Sequence, residues 1–153
     1  MSKELAVGDS APDFSMPTDS GETVTLSAFK GKTLVLYFYP KDDTSGCTSQ
    51  AIAFSGAVDA FAAKGAVILG VSRDDVASHA KFRAKHNLTI ALASDTDGSV
   101  TEGYGVWVEK SMYGRKYMGI DRSTFVIGPD GKIAGVWRKV KVPGHAEAVL
   151  KTL

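Results

Sequence analysis

The chain has 153 residues, 44% of them hydrophobic and 23% charged, and its 18 basic and 17 acidic side chains leave a formal net charge of +1. A chain of this size buries roughly 70% of its unfolded surface, so a single domain over residues 1–153 is expected, with a core that needs no disulfide or metal staple. The balanced charge offers no broad field for nucleic acid, Arg138-Lys139 with Lys141 being too small a cluster, and no apolar run suits a membrane span or a secretion signal, so a cytoplasmic location is expected.

In chain order, Phe14-Ser-Met16 and Thr23-Val-Thr25 flank the turn Asp19-Ser-Gly21 and predict a hairpin. Leu34 to Tyr39 is a continuous apolar, β-prone run between Gly31 and Pro40, the pattern of a strand buried on both faces. After the loop 40–46, Ala51, Phe54, Val58 and Phe61 recur at spacings of three and four, which predicts one helix ending near Gly65 with Cys47 in its first turn. Ala66 to Val71 reads as a strand, and Asp75 to His86 as a helix introduced by the capping candidates Ser72 and Asp74. A short strand is predicted near 90–92, and residues 106–121 read as a long loop. Ser123 to Ile127 and Lys132 to Val140 form a second hairpin around Gly128-Pro-Asp-Gly131, and a helix over 145–150 ends the chain. The βαβ then ββα order predicts an α/β thioredoxin-like fold, a mixed central sheet flanked by helices, with an added N-terminal β-hairpin.

Cys47 is the only cysteine, so an internal disulfide, a Cys-x-x-Cys pair and a zinc site built on several thiolates are excluded by count. A lone cysteine in such a domain is usually a small buried hydrophobe. Here it follows a buried strand and opens a helix, where unpaired backbone N–H groups and the positive end of the helix dipole favour a thiolate. Pro40, Thr44 and Gly46 suit a tight loop rather than packing, and the Thr44 hydroxyl precedes the sulfur by three residues.

The string Pro40-x-x-x-Thr44-x-x-Cys47 resembles the active-site motif of peroxiredoxins, and residues 37–48 are similar to the subgroup called bacterioferritin comigratory protein, or peroxiredoxin Q. Ala11-Pro-Asp-Phe14, Leu26 to Lys32, Leu92-Ala-Ser-Asp95, Tyr104-Gly-Val-Trp107, Gly119 to Phe125 and Pro129 to Ile133 extend the resemblance over nearly the whole chain. It implies a thiol-dependent peroxidase for hydrogen peroxide and small organic hydroperoxides, with Cys47 as the peroxidatic thiol, Thr44 and Arg122 as its active-site partners, and Pro40 fixing the loop and shielding the sulfur. Lowering a thiol's pKa from about 8.5 to about 6 raises its thiolate fraction at pH 7 only about thirtyfold. Donors aimed at the leaving oxygen, each worth about 10²–10³ in rate, are therefore needed as well.

Two departures from the family pattern stand out. Ser45 replaces a proline common in relatives, and Ile52 stands where relatives with a resolving cysteine often carry it. An external thiol, whether thioredoxin, glutaredoxin, glutathione or a second copy of the chain, must then regenerate Cys47. No cofactor and no metal are expected, since His79, His86 and His145 are not at ligand spacing. A monomer is expected from the subgroup. Asp42 and Asp43 read as solvated, and Trp107, Tyr113 and Tyr117 as pocket or partner-surface residues, with core or lid the commoner role for aromatic residues in such a segment. The competing readings are a peroxide sensor that passes one disulfide to a partner, and a catalytically idle relative.

Overall fold

The computed structural model describes residues 5–153. Its elements in chain order are β1 (Ser15–Pro17), β2 (Thr23–Thr25), a 3-10 turn (Leu26–Phe29), β3 (Thr33–Phe38), α1 (Ser45–Gly56), α2 (Val58–Ala63), β4 (Ala66–Ser72), α3 (Val76–His86), β5 (Ala91–Ser94), α4 (Ser99–Gly103), β6 (Trp107–Met112), β7 (Arg115–Ile120), β8 (Ser123–Ile127), β9 (Ile133–Trp137) and α5 (His145–Lys151). Five strands form a mixed sheet in the order β5-β4-β3-β8-β9, and β1-β2 and β6-β7 are separate two-stranded ribbons. This is the expected α/β arrangement, with the predicted N-terminal hairpin added.

The apolar run of β3 makes it the centre of the sheet, parallel to β4 on one side and antiparallel to β8 on the other. Because successive side chains alternate between faces, its residues divide between two cores. Leu34, Leu36 and Phe38 pack with Phe14, Met16, Val100, Tyr104 and Phe125. Val35, Tyr37 and Tyr39 pack on the other face with Cys47, Ala51 and Phe54 of α1, Phe61 of α2, Phe82 of α3 and Val149 of α5. Tyr37 stacks on Phe54 with ring centroids 4.7 Å apart, a contact of the kind worth about 0.5–1.5 kcal/mol beyond its buried area. Among the described residues, no helix is long and apolar enough to cross a membrane.

Three sequence expectations are corrected, and two short elements were not anticipated. The helix predicted to run to Gly65 is broken at Ala57 (φ −104°, ψ 3°), whose N–H bonds back to Phe54 and Ser55, so α1 and α2 are separate. Gly56 weakens the helix there, and the apolar spacing carries across the break without registering it. The cap of α3 is Asp75, which accepts from the Ser78 amide at 2.8 Å, rather than Ser72 or Asp74. The supposed loop 106–121 holds the β6-β7 ribbon, turned by Tyr113 and Gly114, both at positive φ (52° and 77°). Two successive positive-φ residues make the tight turn that matches strand twist, but tyrosine at the first position lacks the usual Asn or Asp signal. The short helix α4 and the 3-10 turn have no counterpart in the sequence reading.

His145 shows how the fold constrains a titrating group. It is buried at the start of α5, with Nε2 2.8 Å from the Thr124 hydroxyl and its ring edge-on to Phe54 and Trp137. Burial, and secondarily the Arg122 charge, lower its pKa to about 4. Between about 6.5, the ordinary value, and about 4 the unfolded chain therefore binds a proton that the folded chain does not. This contribution to stability is intact above pH 6.5 and is lost as pH falls toward 4. The drop in melting temperature of the wild type between pH 7 and pH 4.5 should exceed that of His145→Gln, as measured by thermal denaturation of both.

Candidate active site

Antiparallel pairing of β3 with β8 sets Phe38 opposite Ser123, so the end of β3 and the residue before β8 lie side by side. The first leads through the loop 39–44 into α1 and Cys47, and the second is Arg122. The Arg122 carbonyl is held by the Val140 amide at 3.0 Å. Two residues 75 positions apart in the chain are thereby brought to one point beyond the C-terminal end of the central strand β3.

Cys47 occupies the first turn of α1, as predicted, and is 1% exposed. The first helical bond runs from the Thr48 amide to the Thr44 carbonyl at 2.8 Å, which places the Cys47 N–H ahead of it, among the amides a helix start leaves without an intrahelical partner. The Arg122 guanidinium forks between two groups of this helix: Nη2 donates to Cys47 Sγ at 3.3 Å and Nη1 donates to Gln50 Oε1 at 2.6 Å. Gln50 is buried, and its Nε2 has no hydrogen-bond partner among the described residues. A Cβ on Gly46 would lie 3.1 Å from Arg122 Nη2, so the absence of a side chain there leaves the guanidinium its place.

The other expected residues stand differently. Thr44 is the N-cap of α1, but its hydroxyl turns back and donates to the Lys41 carbonyl at 2.9 Å rather than capping the helix. Its oxygen lone pairs remain able to accept a hydrogen bond. Pro40 lies exposed just past the end of β3. Of the aromatic residues assigned to a pocket or lid, Trp107 is stacked under Arg73 with the guanidinium carbon 3.4 Å from the ring centroid, and Tyr113 is 98% exposed at the ribbon tip.

The paired carboxylates of the loop are not both solvated. Asp43 is exposed and bonds Lys85 Nζ at 2.7 Å and His86 Nε2 at 2.9 Å, and these partners hold its carboxyl below the usual range. Asp42 is buried. It accepts from the Tyr39 hydroxyl at 2.6 Å and from Ser78 Oγ at 2.8 Å, and its Oδ2 lies 2.7 Å from His79 Nδ1. Burial alone would lower the His79 pKa, but the bond and charge of Asp42 and the Ala93 carbonyl outweigh it and raise the value. Burial first, and then the charges of Cys47 and Asp42, keep the Tyr37 phenol protonated far above its ordinary range. Burial of Lys110 on the β6-β7 ribbon, with Arg122 nearby, lowers its pKa, against the opposing pull of Asp121 and Cys47.

The site thus brings together Cys47, Arg122 and Gln50, with Thr44 in the adjoining loop. Gln50 and the Asp42 cluster escaped the sequence reading. Gln50 follows Cys47 by three residues on one helix face, a spacing that could have marked it. Nothing in the sequence distinguishes Asp42 from Asp43, because burial depends on where α3 packs. Among the described residues, no group of three or more His, Cys, Asp or Glu could hold a metal ion.

The AhpC/TSA family model matches residues 7–136. Peroxiredoxin Bcp of Bacillus subtilis is 48% identical over 149 residues, which cover 97% of this chain and 95% of the relative. Peroxiredoxin Bcp of Escherichia coli strain K12 is 42% identical over 149 residues, covering 97% and 96%. Among solved structures, a cysteine-to-serine mutant of PrxQ from Xylella fastidiosa matches with a TM-score of 0.93 at 41% identity, covering 98% of this chain and 96% of that one. Peroxiredoxin Q of Xanthomonas campestris matches with a TM-score of 0.89 at 44% identity, covering 97% and 94%.

Replacing Gln50 by leucine removes the acceptor that holds Nη1 and keeps the side-chain bulk. Rapid-mixing measurement of the first reaction with hydrogen peroxide should show a loss of about tenfold in Gln50→Leu, comparable to one charge-assisted hydrogen bond of about 1.5 kcal/mol, with thermal stability preserved or raised. An unchanged first reaction would show that Gln50 does not orient the guanidinium.

Proposed function

The chain belongs to the AhpC/TSA family and, within it, to the peroxiredoxins called bacterioferritin comigratory protein or peroxiredoxin Q, and from that premise we propose that Cys47 is its peroxidatic thiol and that Arg122, Thr44 and Pro40 complete the site. Peroxiredoxins are thiol-dependent peroxidases, so a hydroperoxide and a thiol are its substrates. The observation that carries the assignment of residues is the Arg122 guanidinium 3.3 Å from the Cys47 sulfur at the start of α1.

The Cys47 thiolate attacks one peroxide oxygen in line with the O–O bond. An S–O bond forms as the O–O bond breaks, and the bonding electron pair leaves on the second oxygen, which takes a proton and departs as water or an alcohol. Cys47 becomes a sulfenic acid. The charge that moves onto the leaving oxygen is met by the Arg122 fork and the Cys47 amide, donors already in place before the reaction. Thr44, whose hydroxyl donates its hydrogen bond to the Lys41 carbonyl, accepts a hydrogen bond from the hydroperoxide O–H and orients it. Pro40 limits the conformations of the loop that holds Thr44.

Hydrogen peroxide and small organic hydroperoxides are the proposed oxidants. A groove of about 420 Å³ lined by Ser45, Gly46, Ser49, Ala53, Val142 and Pro143 runs beside the start of α1 and offers space for an organic tail. The bacterioferritin comigratory protein of Xanthomonas campestris is described by its alkyl peroxide reduction activity. We propose a one-cysteine cycle, because the sequence holds no second cysteine and the half-exposed Ile52 stands at the fifth position after Cys47. One external thiol condenses with the sulfenic acid to give a mixed disulfide and water. A second thiol displaces Cys47 and leaves as the reductant's disulfide. Thioredoxin, glutaredoxin or glutathione serves as donor in this reading, which also takes the chain to be a one-domain monomer of the cytoplasm.

With excess thioredoxin system or glutathione, the wild type should consume many equivalents of hydroperoxide per chain and Cys47→Ser none above background. Consumption of a single equivalent would favour the sensor, and undiminished turnover in Cys47→Ser would remove Cys47 from the chemistry.

A further inference from the structure

The β6-β7 ribbon takes no part in the chemistry, yet it rises directly from the site, because β7 ends at Ile120, two residues before Arg122. Residues directly opposite in an antiparallel pair share a face. The register therefore puts Val108 and Gly119, Lys110 and Tyr117, and Met112 and Arg115 on one face, and Trp107 and Ile120, Glu109 and Met118, and Ser111 and Lys116 on the other.

The two faces differ in kind. On the second, Trp107 under Arg73 and the buried Ile120 fix the base of the ribbon to the body of the molecule, and farther out Lys116 and Glu109 pair at 3.6 Å. The first face carries two cations, Lys110 and Arg115, and no acid. Among the described residues neither cation pairs with a carboxylate. Between them stand the exposed side chains of Met112 and Tyr117, with Tyr113 at the tip. A Cβ on Gly119 would lie 3.3 Å from Lys110 Cδ and 3.4 Å from Tyr117 Cε2, so both side chains lean across the bare Cα toward the base of the ribbon. The charges of Asp121, Arg122 and Cys47 act on Lys110 there, which turns this face toward the site.

We propose that the Lys110–Arg115 face of the ribbon is the docking surface for a protein dithiol reductant whose reactive thiol is surrounded by acidic and apolar side chains. The proposal rests on the peroxidase reading and narrows its thiol donor to a protein. Exposed methionine, tyrosine and arginine beside one another are the composition of an interface centre, and unneutralised cations draw in a partner of opposite charge. From Val108 to Met112 the face runs about 14 Å at 3.4 Å per residue, an extent matched by a protein surface rather than by one small thiol. A second copy of the chain docked through the same face would set cations against cations, and two cations are too few for an anionic membrane, where clusters of about four to eight are needed. In the docked pair one partner thiolate attacks the Cys47 sulfenic sulfur, an S–S bond forms, and the hydroxyl leaves with a proton as water. The partner's second thiol then displaces the Cys47 thiolate, and the partner departs as an internal disulfide.

Arg115 and Lys116 are adjacent and alike in charge but lie on opposite faces, which gives a matched test. Turnover of hydrogen peroxide is measured with thioredoxin kept reduced by its reductase and, separately, with dithiothreitol, a neutral small thiol. The ratio of thioredoxin-driven to dithiothreitol-driven kcat/KM should fall about tenfold in Arg115→Glu and change by less than about twofold in Lys116→Glu. Added salt should lower the wild-type ratio, because it screens the attraction. Hydrogen exchange on the mixed disulfide with a thioredoxin whose second active-site cysteine is serine should slow the amides of 107–120 relative to the chain carrying glutathione on Cys47. Equal effects of the two charge reversals, a ratio indifferent to salt, or ribbon amides that exchange alike in the two adducts would overturn the proposal. So would turnover with dithiothreitol but not with thioredoxin, and so would binding to phosphatidylglycerol vesicles that Arg115→Glu abolishes while the ratio holds, which would assign the face to a lipid surface. Failure of the peroxidase reading looks different, because the wild type would then consume no peroxide with either reductant.

Discussion

The forked contact of Arg122 with the Cys47 sulfur and the Gln50 amide oxygen is the interaction on which the rest of the site depends. A sulfur at a helix start is a common arrangement with many uses. A guanidinium fixed by a second acceptor, with one arm on that sulfur, is a donor set aimed at whatever negative charge appears beside it. Arginine suits the position because its planar fork engages two groups at once, and a lysine ammonium would engage them as a point charge. The cost of holding a cation here is offset by short, directed bonds at both arms. The bare Cα of Gly46 keeps the approach open.

The sheet supplies this geometry. Because β3 is parallel to β4 and antiparallel to β8, its end is adjacent both to the end of β4 and to the beginning of β8. The first neighbour leads into α3, which carries Ser78 and His79, and the second begins with Arg122. The loop from Tyr39 to Thr44 thus lies between two sets of contacts, those of Asp42 with Ser78 and His79 of α3 on one side and that of Arg122 with the Cys47 sulfur on the other. The alternation of β3 side chains does the rest, sending Tyr37 and Tyr39 to the helix-covered face under the loop and Phe38 to the opposite core.

Much of this was legible in the residues. The apolar run 34–39, the Gly128 to Gly131 turn and the position of Cys47 are local features, and local features survive in a sequence. Arg122 was legible only through the family resemblance, since an arginine before a strand says nothing by itself about a sulfur 75 positions away. Asp42 and Asp43 are adjacent and alike in composition, yet one is buried in a hydrogen-bonded cluster and the other is solvent-facing. That difference is set by how α3 docks, a tertiary fact. The β6-β7 ribbon was hidden for another reason: its residues are mostly exposed or half-buried, so no apolar alternation marks the strands, and a Tyr-Gly turn lacks the usual signal. The break between α1 and α2 was hidden because both helices bury the same face.

The central claim is that Arg122 acts on the oxygen leaving the sulfur and does more than hold the sulfur in place. Rapid-mixing kinetics of Arg122→Gln, with hydrogen peroxide in one series and the neutral alkylating reagent iodoacetamide in the other, separates the two roles, because only peroxide places a developing charge on a leaving oxygen in the site. The account predicts that sulfenic acid formation slows by about 10²–10³ while alkylation changes by far less. Equal losses in the two series, or peroxide reduction at the wild-type rate, would contradict it.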